Sequence, residues 1–164
     1  MLKQVWAIRM RLQMEQRVRD LALFNLAIDS KLRGCDLVRL RAREVVHGDQ
    51  VVSRATVMQR KTGQPVRFEV TEQTREAVQA WVAERKLSAG DYLFPSRNRG
   101  SRHLSTRQYA RIVRGWVSLI GLDPGEYGTH SLRRTKATLI YRRTKNLRAV
   151  QLLLGHRIIQ RNVR

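Results

Sequence analysis

Glu44-Val45-Val46-His47-Gly48-Asp49-Gln50-Val51-Val52 is the stretch on which the fold class turns. β-Branched runs flank a Gly-Asp pair suited to a tight turn, which predicts a β-hairpin in a chain that otherwise reads as helical. Its second strand continues from Val51 to Val57. Lys61-Thr62-Gly63-Gln64-Pro65 is a second turn, and Val66-Arg67-Phe68-Glu69-Val70 alternates apolar with polar residues as a half-buried third strand does. The expectation is one small three-stranded antiparallel sheet.

Outward from the sheet the period changes to that of helices. A helix from about Gln16 to Ser30 carries Leu21, Phe24, Leu26 and Ile28, and an amphipathic helical segment with Val5, Ile8 and Leu12 precedes it. Beyond the strands, Thr71 is placed to cap a helix bearing Ala77, Val78, Trp81 and Val82. Leu93-Phe94-Pro95 and the polar tract to Ser101 read as a loop. Ser105 and Gln108 have capping-box spacing at the start of another helix, whose apolar stripe is Tyr109, Ile112, Val113, Trp116 and Ile120, with Gly121 as its stop. Two more helices are expected, from about Thr129 to Tyr141 and from Asn146 to Leu154. The fold class is therefore α+β, mainly α-helical. Trp81, Trp116 and Phe24 sit at helical spacing among aliphatics and are assigned to the core, not to base stacking.

Charge narrows the function. The chain has 33 Lys and Arg against 13 Asp and Glu, a formal net charge of +20 in 164 residues. Self-repulsion of that size opposes compaction unless an anionic partner relieves it, which favours a polyanion, nucleic acid before an anionic membrane surface. No segment approaches the roughly 20 apolar residues that span a bilayer, and Met1-Leu2-Lys3-Gln4-Val5-Trp6 lacks the apolar run of a signal peptide. The sequence reads as cytoplasmic. Cys35 is the one cysteine, so neither a disulfide framework nor a thiolate zinc cluster is expected. With 42% hydrophobic residues, the 164 positions suffice for a single domain standing on its own core.

Two blocks near the C-terminal end look made for phosphate. His130-Ser131-Leu132-Arg133 puts an imidazole and a guanidinium on one helical face, and Leu153-Leu154-Gly155-His156 brings a second imidazole after a helix-ending glycine. Read singly, each has a plain alternative: Arg33 can be one more solvated arginine, Lys61 a lysine in a common turn, and His156 a helix-end residue facing the C-terminal dipole. The ordered set is more specific. Leu32-Arg33-Gly34-Cys35-Asp36-Leu37 after a helix, Lys61-Thr62-Gly63 in a β-turn, and the two histidine blocks, in that order and spacing, resemble the catalytic domain of the tyrosine recombinase (phage integrase) family. The likeness covers nearly the whole chain.

The resemblance implies cleavage of a DNA strand by a tyrosine, a 3′-phosphotyrosyl link with a free 5′-hydroxyl, and rejoining to a partner strand. It implies double-stranded DNA as partner, no cofactor and no metal. Residue by residue, it assigns Arg33 and Arg133 to the phosphate oxygens, a task that suits a planar, permanently charged donor fork. Lys61 resembles the general acid for the leaving 5′-oxygen. His130 resembles the group that helps deprotonate the nucleophile, and His156 the donor to the scissile phosphate. Asp36 resembles the acidic support residue behind them.

Two departures shape the expectation. The family's nucleophilic tyrosine usually falls at the residue that would follow Arg164, so the 164 residues are expected to end just before it and not to cleave DNA themselves. None of Tyr92, Tyr109, Tyr127 and Tyr141 occupies its place. The helical DNA-clamping domain that usually precedes the catalytic domain is also expected to be absent, since only the residues up to Leu32 come before Arg33. Binding would then rest on weakly sequence-selective phosphate contacts from Arg97/Arg99/Arg102, Arg107/Arg111/Arg114 and Arg142/Arg143/Lys145. The family implies a homo-oligomer on DNA for the full-length protein, whereas these residues alone are expected to be monomeric. A non-catalytic DNA-binding remnant or accessory factor, and a tyrosine-type topoisomerase, are the alternatives.

Overall fold

Gln16, with φ of 53°, breaks the chain between its first two helices. The computed structural model describes residues 2–97, 102–125, 127–128 and 131. Helix α1 spans Leu2–Met14 and α2 spans Val18–Ser30, so the second helix begins after the left-handed Gln16 and not at it. Val5, Ile8 and Leu12 share the buried face of α1. In α2 every residue from Ala22 to Ser30 is buried. A helix covered on all sides is the centre of a core, and α2 packs against α1, α5 and β4. Two of its buried polar residues bond to neighbouring elements: Asn25 Oδ1 accepts from Arg9 Nε at 2.8 Å, and Asp29 Oδ2 accepts both the Thr71 N–H and the Thr71 hydroxyl at 2.9 Å.

Two four-residue helices, α3 (Gly34–Leu37) and α4 (Ala42–Val45), lead into the strands. Strands β1 (Val46–His47) and β2 (Gln50–Val51) form the expected hairpin, turning at Gly48 with φ of 63°. Strands β3 (Arg54–Met58) and β4 (Pro65–Glu69) form a second antiparallel pair in which Ala55 faces Phe68 and Val57 faces Val66. All four of those side chains are buried, while the alternate positions face outward. The sheet is thus two two-stranded pairs and not one three-stranded sheet. The reason lies at Val52-Ser53: Val52 N–H donates to Val45 O at 2.9 Å, and Ser53 O accepts from Val70 N–H at 2.8 Å. The chain changes partner there, and the ladder divides.

Helix α5 (Glu72–Arg85) buries Ala77, Val78 and Trp81 against α2. Thr71 stands at its N-cap position, but its hydroxyl serves Asp29 in place of a helix N–H. Residues 88–97 and 102–105 are loop pinned to the core. Leu93 and Phe94 are fully buried, Leu93 N–H donates to Leu40 O at 2.7 Å, and Trp81 Nε1 donates to Leu93 O at 2.7 Å. Helix α6 (Thr106–Leu119) opens with a reciprocal capping box: Ser105 Oγ accepts from Gln108 N–H and Gln108 Oε1 from Ser105 N–H. Tyr109, Val113, Trp116 and Val117 form its buried face, with Trp116 edge-on to Phe24 at 5.4 Å between ring centroids. Gly121, at φ of 78°, follows its end. Apart from Ser131, the helices expected over 129–141 and 146–154 lie outside the described residues. Among the described residues no helix is long and apolar enough to cross a membrane.

Candidate active site

The chain leaves α2 through Lys31, whose left-handed conformation (φ 57°) closes the helix as its N–H donates to Ala27 O. Ser30 Oγ then accepts the Leu32 N–H at 3.2 Å, and buried Leu32 anchors the exit. Arg33 follows in an extended conformation at the N-cap position of α3, and its carbonyl accepts the N–H groups of Asp36 and Leu37 at 2.9 Å. Its backbone is therefore fixed by the helix that it starts. Its guanidinium is not: the half-buried Arg33 has its Nη1 shielded from solvent without a hydrogen-bond partner among the described residues. A donor hidden from water and left unmatched costs about 1–3 kcal/mol, more when charged, and such groups call for an explanation.

Asp36 is buried on the next turn, and its Oδ1 accepts the backbone N–H of Arg60 at 3.1 Å. That bond ties α3 to the turn between β3 and β4. The turn is itself closed by Gln59 N–H to Gln64 O at 2.8 Å and Gly63 N–H to Gln59 O at 2.9 Å, with Gly63 at φ of 65°. A second layer of bonds comes from side chains. Thr62 Oγ1 donates to Gln59 Oε1 at 2.8 Å and accepts Gln64 N–H at 3.2 Å. Lys61 rides on this framework with an exposed side chain.

Helix α3 also rests on α6. A Cβ on Gly34 would sit 3.3 Å from Tyr109 Cδ1, tighter than an ordinary contact, so glycine suits the close approach of α3 to that ring. Tyr109 is buried, and burial pushes its phenol pKa well above the usual value. The residue that sets the seat of α3 is thus held as a neutral phenol.

Hydrogen bonds link Arg33 to Asp36 and Asp36 to the Arg60 main chain, the residue next to Lys61. His130, Arg133 and His156 lie outside the described residues. Of the His130 block only Ser131 is described; it is helical, its N–H donates to Gly128 O at 3.0 Å and its Oγ accepts Gly128 N–H at 3.2 Å. The sequence reading missed Gln59, Gly34 and Tyr109 as parts of this corner. A signal existed for the first, because the alternation Ala55, Val57, Gln59 points a polar residue inward; the other two have no sequence signature.

Electrostatics extend the site along one helix. Arg107, Arg111 and Arg114 are all exposed on α6, on the side away from its buried stripe, and form a basic ridge. Arg97 and Arg102 are exposed in the preceding loop, whereas Arg99, Arg142, Arg143 and Lys145 lie outside the described residues. A hollow of about 250 Å³ between α2 and α6 is lined by Arg19, Arg97 and Arg111. A wider one of about 480 Å³ has Arg41, Arg85 and Arg102 on its walls. Arg41 is committed there, stacked 4.1 Å from the Tyr92 ring centroid and donating to Gly90 O and to the Tyr92 hydroxyl. Among the described residues no group of His, Cys, Asp and Glu could hold a metal ion.

Three of the four tyrosines are described. Tyr92 lies between Arg41 and the His103 ring, Tyr109 is in the core, and Tyr127 packs half-buried against it. None of the three belongs to the Arg33–Asp36–Lys61 corner as an exposed hydroxyl.

Residues 3–163 match the pattern described as "Phage integrase family". The chain is 30% identical over 138 residues to the probable integrase/recombinase YoeC of Bacillus subtilis, covering 84% of this chain and 71% of that protein. It is 34% identical over 140 residues to the tyrosine recombinase XerC of Neisseria gonorrhoeae, covering 85% of this chain and 44% of that protein. Among solved structures, XerA recombinase superposes with a TM-score of 0.79 at 20% identity, over 98% of this chain and 55% of that one. XerH recombinase bound to its difH substrate gives a TM-score of 0.78 at 20% identity, over 98% of this chain and 47% of that one. The chain thus spans less than half of the XerC relative and about half of these structures.

Proposed function

The chain belongs to the phage integrase family, and from that premise we propose that it is the catalytic domain of a site-specific tyrosine recombinase acting on double-stranded DNA. The observation that carries the proposal is the shielded Arg33 Nη1, which has no acceptor among the described residues beside the Asp36-held turn that carries Lys61. A scissile phosphate supplies the missing acceptor. In the transition state, negative charge spreads over the non-bridging oxygens, and the Arg33 fork, with Arg133 as its counterpart, offsets it. Lys61 gives its proton to the departing 5′-oxygen. His130 takes the proton of the attacking phenol, His156 donates to the phosphate, and Asp36 holds the Lys61 turn in register with Arg33. The basic ridge of α6 supports the DNA assignment, and the difH complex of XerH adds precedent from a similar fold.

The attacking tyrosine is assigned outside Tyr92, Tyr109 and Tyr127. Tyr109 is buried with its ionisation suppressed, and Tyr92 is stacked and hydrogen-bonded by Arg41. The nucleophile is accordingly a tyrosine other than these three, either Tyr141 or one in a continuation of the reading frame past Arg164. The test is covalent attachment of a nicked duplex substrate to these 164 residues and, in parallel, to a protein continued along the reading frame past Arg164. Adduct formed only by the longer protein assigns the nucleophile to the continuation, adduct formed by both assigns it to Tyr141, and adduct formed by neither overturns the reading.

A further inference from the structure

Among the described residues Gln59, at 1% exposure, is one of the largest fully buried side chains, and the others of its size or larger are hydrophobic. It follows β3 on the inward-facing register of Ala55 and Val57, where an apolar side chain would serve the core at no polar cost. Its Oε1 accepts the Thr62 hydroxyl at 2.8 Å, while its Nε2 is buried without a partner among the described residues. The main chain of the same residue closes the turn at both ends, through Gln64 O and Gly63 N–H. Lys61 lies between the two residues that this side-chain bond joins, and the Arg60 N–H next to it is held by Asp36.

We propose that Gln59 is a positioning residue for Lys61, its buried amide gripping Thr62 so that the turn presents the lysine amine at one place above Arg33. The inference rests on the reading of Lys61 as general acid and says what makes that acid effective. In the cleavage step the tyrosine oxygen forms a bond to phosphorus as the P–O5′ bond breaks. The phenol proton passes to His130, and the Lys61 ammonium gives a proton to O5′, leaving a neutral amine and a 5′-hydroxyl. An acid that is badly placed slows only the part of this step that needs the leaving oxygen protonated.

A leaving group that needs no proton separates placement of the acid from general damage. Replacing the bridging 5′-oxygen of the scissile phosphate by sulfur gives a thiolate, with a pKa of about 8.5, that departs unaided. The protein continued along its reading frame is compared as wild type, Gln59→Met, which keeps the buried volume, Thr62→Val at an exposed position, Lys61→Ala and Arg33→Ala. Gln59→Met and Thr62→Val are expected to slow cleavage of the oxygen substrate by about 10- to 100-fold and to cut the sulfur substrate at close to the wild-type rate. Arg33→Ala is expected to be slow on both. Full-speed oxygen cleavage by Gln59→Met, or equal slowing on both substrates, overturns the inference; if Gln59→Met does not fold, Thr62→Val decides by the same criterion. Failure of sulfur to rescue Lys61→Ala overturns the reading of Lys61 itself, and the inference with it.

Discussion

Asp36 Oδ1 accepts the Arg60 backbone N–H at 3.1 Å across 24 residues of sequence, fastening the Lys61 turn to the helix that begins at Arg33. Asp36→Ala removes that charged acceptor and is expected to destabilise the domain by about 1–3 kcal/mol. Asp36→Asn keeps an oxygen at the same place and is expected to lose less than half as much. Urea unfolding midpoints at matched m-values read both; equal losses for the two variants would contradict the role given to the bond.

The contact between Gly34 and Tyr109 sets the seat of α3. A Cβ at Gly34 already comes within 3.3 Å of the ring, so Gly34→Val is expected to cost about 1–3 kcal/mol through overpacking. Because α3 carries Arg33 and Asp36, DNA affinity should fall along with stability. A variant as stable and as tightly binding as the wild type would show that α3 is free to shift.

Burial raises the pKa of the Tyr109 phenol above the ordinary tyrosine value of about 10. The unfolded chain therefore releases this proton at lower pH than the folded one, so the contribution is intact below about pH 10 and is lost as the pH rises towards the folded-state value. Tyr109→Phe is expected to flatten the alkaline limb of the stability profile in that window while leaving neutral pH little changed. An alkaline limb of unaltered slope in the variant would speak against it.

The α6 ridge makes a quantitative prediction for DNA binding. Neutralising one phosphate for each of Arg97, Arg102, Arg107, Arg111 and Arg114 gives a log affinity against log salt slope of about −4 to −5. Replacing Arg107, Arg111 and Arg114 by Gln should reduce the slope by about 3 and weaken binding to all duplex sequences alike. A slope unchanged by the triple substitution would place the interface elsewhere.

How legible the molecule is in its sequence depends on the length of each signal. The long helices α2, α5 and α6 were read from their periodicity, and the Ser105–Gln108 pair and Gly121 marked both ends of α6. Helices α3 and α4, of four residues each, are too short to carry a period. The division of the sheet at Val52-Ser53 is a main-chain hydrogen-bond event that side-chain alternation does not record. Thr71 was placed correctly at the start of α5, but its partner, Asp29, is distant in sequence and could not be read from it. At the site, the resemblance to the recombinase family singled out Arg33, Asp36 and Lys61; the Arg33 carbonyl accepts the Asp36 N–H, and Asp36 holds the Arg60 N–H next to Lys61. The seat that Tyr109 provides for Gly34 depends on how two helices meet, which no local pattern encodes.

The Arg33 corner is proposed to hold the scissile phosphate. This role is tested most directly by the rate of covalent DNA attachment in the protein continued along its reading frame, for wild type against Arg33→Lys and Arg33→Ala. Loss of a preorganised donor to the developing charge predicts a fall of about 10²–10³-fold for Arg33→Ala, with Arg33→Lys recovering only part of it. Attachment at the wild-type rate by a folded Arg33→Ala protein would contradict the account.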